Sequence, residues 1–189
     1  MIPRLMVLTD RRALRRRRGL SEVVQECADA GLTHVVVREH DLPTAERSDL
    51  VAELAAHCGL TVLASRRPDP GAHGLHLAAT QPLPPGRRPP VFGRSCHDVA
   101  ELARAAAEGC DYATLSPYAT SASKPGYGPP VPAELFASSP FPVLALGGVH
   151  RGNAAQARAA GAHGVAVMGA VMRAQDPARE VADLVAALR

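Results

Sequence analysis

Val143-Leu144-Ala145-Leu146-Gly147-Gly148 and Val165-Ala166-Val167-Met168-Gly169 are two apolar runs, each closing on glycine, with one helix's worth of sequence, Asn153 to Ala160, between them. A strand covered on both faces reads as a continuous apolar run, and glycine at its end lets backbone N–H groups come close to a ligand. Taken singly, each unit also fits an ordinary strand-to-helix turn that needs glycine. Taken together, they match the way the last two strands of a (β/α)₈ barrel build a phosphate site.

Working outward, strand-like and helix-like stretches alternate along the whole chain. Leu5–Leu8, Val35–Val37, Thr61–Ala64, Leu75–Leu77 and Tyr112–Leu115 read as strands, and Val91-Phe92 opens another. Leu20, Val23, Val24 and Cys27 recur at helical spacing over 20–30. Residues 42–58, 98–108 and 177–188 are the other long helical stretches. Pro43 stands near the start of the second helix, where a missing N–H does no harm. Residues 65–73 are too short and Pro-broken for a full helix, and 81–90 hold five prolines. Strand–helix alternation with short links predicts an α/β fold with a parallel sheet and outer helices. Eight strands, and no G-x-G-x-x-G after the first, favour a closed (β/α)₈ (TIM) barrel with reduced third and fourth helices.

At 189 residues and 47% hydrophobic content, the expectation is one domain over 1–189. Aromatics are only 3% with no Trp, which argues against base-stacking platforms. The net charge of +3 owes much to Arg11, Arg12, Arg15, Arg16, Arg17 and Arg18, a run read as a solvated loop face rather than a nucleic-acid patch. Cys27, Cys58, Cys96 and Cys110 form no C-x-x-C pair, so neither zinc nor a disulfide framework is expected, and a reduced cytoplasmic setting fits. No apolar stretch approaches the roughly 20 residues of a membrane span. The first apolar run precedes the arginines, the reverse of a signal peptide.

In such a barrel the C-terminal strand ends carry function. In order they read Thr9-Asp10, Arg38-Glu39-His40, Ser65-Arg66-Arg67, His76, Ser95-Cys96-His97, Ser116, Gly147-Gly148 and Met168-Gly169, and a long loop adds Ser121, Ser123 and Lys124. Guanidinium, hydroxyl and backbone amide donors suit phosphate or carboxylate. The expected ligand is a phosphorylated small molecule.

V-R-E-H at 37–40, G-L-H-L at 74–77, G-R-S-C-H at 93–97, S-P-Y-A-T-S-A-S-K at 116–124, A-L-G-G-V at 145–149 and G-V-A-V-M at 164–168 together resemble the thiamine phosphate synthase/TenI superfamily. The resemblance covers nearly the whole chain and implies a (β/α)₈ barrel of thiamine biosynthesis. One branch joins a pyrimidine diphosphate to a thiazole phosphate with Mg²⁺. The TenI branch aromatises a thiazole carboxylate phosphate by moving a proton, without metal. Residue by residue, the resemblance puts the synthase's pyrophosphate-binding Arg at Arg38 and its Ser at Ser95. The T-x-T-K loop falls at Ser121, Ser123 and Lys124, and the thiazole phosphate at Gly147-Gly148 and Met168-Gly169.

The departures discriminate between branches. The Asn-Asp pair that holds metal falls at Ala64-Ser65 or Ser65-Arg66, and the second metal Asp near Thr80 or Gln81. Mg²⁺ takes carboxylate oxygens, so no metal site is expected. The TenI branch's loop His is Pro117 here. His40 is then the first candidate acid/base, with His97 and His76 behind it, because imidazole titrates near neutral pH. Each also reads as a structural residue, and Cys96 as a packed thiol. The leading expectation is a metal-independent thiazole tautomerase. The alternatives are a thiamine phosphate synthase, with Mg²⁺ only in that case, and a non-catalytic thiazole or thiamine phosphate binder. A homodimer is expected from family likeness.

Overall fold

A computed structural model describes residues 1–15, 18–57, 59–120 and 128–189. Eight strands close into one all-parallel barrel in sequence order: β1 (Leu5–Leu8), β2 (His34–Val37), β3 (Thr61–Ser65), β4 (Gly74–Leu77), β5 (Val91–Cys96), β6 (Tyr112–Leu115), β7 (Val143–Leu146) and β8 (Gly164–Val167). Closure is made by β1 on β8, with Leu5 opposite Val165 and Val7 opposite Val167. Helices α1 (Leu20–Asp29), α2 (Thr44–Ala55), α3 (Val99–Ala107), α4 (Glu134–Ala137), α5 (Ala154–Ala159), α6 (Gly169–Met172) and α7 (Pro177–Ala187) follow their strands. β3 and β4 are followed by no helix, as expected.

Several boundaries differ from the sequence reading. The second helix begins at Thr44, with Pro43 as its N-cap residue. β5 runs on to Cys96, so Ser95 lies inside the strand rather than after it. β8 stops at Val167, and Met168 caps the short α6, which no apolar period announced.

The apolar runs hide a period of two. Met6, Leu8, Val36, Leu63, Tyr112, Leu144 and Ala166 form a small cluster inside the barrel. Their neighbours Leu5, Val7, Val35, Val37, Val62, Leu75, Leu77, Ala113, Leu115, Val143, Ala145, Val165 and Val167 belong to the larger cluster under the helices. Successive strand residues point to opposite faces. Both faces are buried, so the alternation shows in packing and not in polarity.

Two buried arginines fasten the strand ends. Arg47 of α2, 3% exposed, donates from Nη2 to the carbonyls of Val37 and Ser65, both at 3.0 Å, tying β2 to β3 where the site begins. Arg94, fully buried, pairs with Glu108 and donates from Nη1 to the carbonyls of Ala78 (2.8 Å), Ala79 (3.1 Å) and Gln81 (2.7 Å). Its fork of donors holds the segment after β4 where a helix is absent. In the arginine run, Arg11 pairs with Asp41 and Glu39, Arg12 with Asp41, and Arg18 with Glu22 and Glu26. Arg16 and Arg17 lie outside the described residues. No helix among the described residues is long and apolar enough to cross a membrane.

Candidate anion-binding site

A cavity of about 490 Å³ opens at the C-terminal ends of the strands over Leu8, Leu146 and Ala166. Around it stand Arg38 and His40 from β2, Ser65 and Arg66 from β3, His76 from β4, Ser95 and His97 from β5, Ser116 and Pro117 from β6, Gly147 and Gly148 from β7, and Met168 and Gly169 from β8. Of the strand-end residues read from sequence, these line one cavity, whereas Thr9, Asp10, Glu39, Arg67 and Cys96 do not line it. Ser121, Ser123 and Lys124 lie outside the described residues.

At the ends of β2 and β5, strand parity selects which residues of the consecutive set face inward. Val36 points into the barrel, so Arg38 and His40 follow it, while Glu39 turns outward. There its carboxylate accepts from the backbone N–H of Arg11 at 3.2 Å. In the same way Ser95 and His97 face the cavity, whereas Cys96 is buried behind them, its thiol pushed up to about 12 mainly by burial. Arg66 breaks the rule. Its φ of +66°, left-handed and costly for a side-chain-bearing residue, turns the chain so that Ser65 and Arg66 both line the cavity. The Arg66 N–H donates to the His76 carbonyl at 2.8 Å, and its carbonyl accepts from Gln81 at 2.5 Å.

The lining is cationic. It includes Arg38, Arg66 and Arg173 and, although every Asp and Glu of the chain lies among the described residues, no carboxylate. The Arg38 backbone N–H donates to Thr9 Oγ1 at 3.0 Å, while its guanidinium reaches across to the Met168 thioether. His40 Nε2 lies 3.4 Å from Ser65 Oγ. Burial, then Arg66, Arg47, Arg38 and Arg67, push its pKa down to about 4, which favours the neutral imidazole at pH 7.

His76 is 3% exposed, with both ring nitrogens engaged: Nδ1 with the Tyr112 hydroxyl at 2.8 Å and Nε2 with Ser95 Oγ at 2.9 Å. Burial pushes its pKa down to about 4 and that of Tyr112 well above the usual 10. The phenol keeps its proton and has no other acceptor among the described residues. It therefore donates to Nδ1, Nε2–H donates to Ser95, and the Ser95 hydroxyl is left to donate into the cavity. Tyr112→Phe is expected to cost about 1–2 kcal/mol on chemical denaturation. It should also mix the two His76 tautomers, read from the ring ¹⁵N shifts; a wild-type tautomer ratio in the variant would break this chain of donors.

His97 precedes the Asp98 N-cap of α3 and is tied to Glu101, whose Oε2 lies 3.0 Å from Nδ1 and also accepts the His97 N–H at 2.7 Å. His150 and Arg173 also line the cavity and escaped the sequence reading. His150 had a signal, since it sits two residues beyond inward-facing Gly148. Arg173 had none, because it rides on the unannounced α6.

A magnesium ion of the kind the family resemblance implies finds no fitting donors here. The positions implied for it hold Ala64-Ser65 or Ser65-Arg66 and, near the second, Thr80 or Gln81, and hard carboxylate oxygens are missing from the lining. Among the described residues no group of three His, Cys, Asp or Glu side chains could hold a metal.

A family model described as thiamine monophosphate synthase matches residues 5–171. A thiamine-phosphate synthase of Methanoculleus marisnigri is 35% identical over 98% of this chain and 96% of its own length. A putative thiamine-phosphate synthase of Geobacter sulfurreducens is 34% identical over 97% and 93%. In fold, the chain superposes on a thiamine phosphate pyrophosphorylase from Pyrococcus furiosus with a TM-score of 0.81 at 23% identity, covering 98% of this chain and 95% of that one. A barrel whose strand ends gather guanidinium, hydroxyl and imidazole groups, matched by one family model over residues 5–171, belongs to the thiamine monophosphate synthase family.

Proposed function

We propose that this chain is a thiamine phosphate synthase that neutralises its diphosphate leaving group with guanidinium groups instead of a divalent ion. The observation that carries the reading is a cavity lined by Arg38, Arg66 and Arg173 with no carboxylate. The names of relatives alignable over nearly the whole chain support the condensation over the tautomerisation expected first from sequence. In the reaction a carbon–nitrogen bond forms between the two heterocycles as the carbon–oxygen bond to diphosphate breaks, and diphosphate keeps the electron pair. Arg38, Arg66 and the Ser95 hydroxyl donate to the diphosphate, with Lys124, Ser121 and Ser123 expected to join them. Such charge-assisted bonds are worth about 1.5–3 kcal/mol each. The thiazole phosphate sits on the Gly147-Gly148 and Met168-Gly169 turns.

A second reading, the thiazole tautomerase, is favoured by the His97–Glu101 pair. Of the three histidines proposed for proton transfer, His97 has a carboxylate partner to support a proton that is taken up and returned. The two readings separate in one assay. The protein is incubated with the pyrimidine diphosphate and thiazole phosphate, with and without EDTA, and in parallel with the non-aromatic thiazole carboxylate phosphate. Thiamine phosphate formed at an EDTA-insensitive rate is the expected result. A strict Mg²⁺ requirement overturns the arginine reading. Aromatisation without condensation selects the tautomerase, and tight binding with neither reaction selects a non-catalytic binder.

A further inference from the structure

Gly169 is followed four residues later by an arginine that enters no ion pair among the described residues. Arg173 closes the last turn of α6 and lines the main cavity beside Gly169 and Ala170. It also lines an adjoining recess of about 370 Å³ whose lining holds Asp176 and Glu180 together with Arg151 and Arg179. Those two are neutralised, Arg151 by Glu180 (3.4 Å) and Asp183 (3.1 Å) and Arg179 by Asp183 (3.0 Å). Arg173 enters no ion pair or side-chain hydrogen bond among the described residues.

Its guanidinium is seated in a specific place. A Cβ built on Gly169 would overlap the Arg173 guanidinium. Gly147 and Gly148 adopt left-handed φ values of +89° and +68°, but Gly169 does not. Backbone conformation therefore does not require glycine at 169; the room its missing side chain leaves is taken by the Arg173 charge, folded back onto the β8 turn at the cavity wall.

We infer that Arg173 is a binding residue that selects a phosphate monoester over the corresponding alcohol, its guanidinium held at the β8 turn by the space that Gly169 leaves. This deepens the proposed function and rests on a phosphorylated ligand occupying the cavity. A planar donor fork at that point meets phosphate oxygens bidentately, which a lysine point charge does less well.

Calorimetry with thiazole phosphate and with the unphosphorylated thiazole alcohol tests this on wild type, Arg173→Ala, Arg173→Lys, Gly169→Ala and the Gly169→Ala/Arg173→Ala double variant. Arg173 is exposed and alanine is a good helix former at position 169, so all are expected to fold, with melting curves as the check. Arg173→Ala should weaken the phosphate ester about 10- to 100-fold and leave the alcohol unchanged. Arg173→Lys should fall between, and Gly169→Ala should weaken the ester by moving the guanidinium away. The double variant should then be no worse than Arg173→Ala. Unchanged ester affinity in Arg173→Ala, beside a wild type that prefers the ester, overturns this inference alone. Wild-type protein that binds neither compound overturns the reading of the cavity as well.

Discussion

Arg66→Gly is expected to make the protein more stable and less active at once. Arg66 holds φ +66°. Release of that left-handed penalty, about 1–2 kcal/mol, outweighs the ~0.4–1 kcal/mol of added unfolded-chain entropy. A net gain of about 0.5–1 kcal/mol should therefore appear in urea denaturation. The same change removes a cation from the cavity wall. Losing one preorganised donor from a site of developing charge costs about 10²–10³ in rate, and kcat/KM for condensation should fall by that order. His40 supplies an independent readout. Among the charges that push its pKa down to about 4, Arg66 comes first. Without that cation the imidazole protonates more readily, so its pKa should move upward in an NMR titration. Unchanged turnover together with an unchanged His40 titration would show that Arg66 does not address the site. Strain kept at a residue facing a cavity is the expected sign of function competing with stability.

Gly148→Ala is expected to unlatch one wall of the pocket. Gly148 has φ +68°, and a Cβ there would sit 2.5 Å from the carbonyl oxygens of both Ala119 and Thr120. Those carbonyls cannot step aside cheaply, because the Tyr118 N–H donates to Leu146 O at 2.8 Å and the Ala119 N–H to Gly147 O at 2.9 Å. Left-handed strain plus overpacking against backbone should cost about 3 kcal/mol, and thiazole phosphate binding should be lost as the β6 loop moves. Gly109→Ala is the control. It has φ +71° but nothing within 4 Å of a new Cβ, so only the strain, about 1–2 kcal/mol, is expected. Equal losses in the two variants would remove the clash from the account.

Glycine-ended apolar runs, helical spacing in residues 20–30 and the proline-broken segments after β3 and β4 already specified an eight-stranded parallel barrel with two helices missing. Local chemistry suffices there, because strand burial, turn geometry and helix breaking are written within a few residues of one another. The set of strand ends was also readable, since a closed parallel barrel must present every C-terminal strand end on one face. Tertiary structure decided which residue of each set looks inward. In strands buried on both faces the polarity pattern carries no parity signal, so Glu39 and Cys96 could not be told apart from Arg38 and Ser95 by composition alone. It also decided the break in parity after β3 at Arg66, where bonds from its backbone to His76 and Gln81 hold a turn that no local motif announces. The direction in which Ser95 donates depends on Tyr112 and His76, distant in sequence and brought together by the barrel. Arg47 and Arg94, which no local pattern singles out, are clamps because burial compels a guanidinium to find carbonyl partners wherever the fold places them.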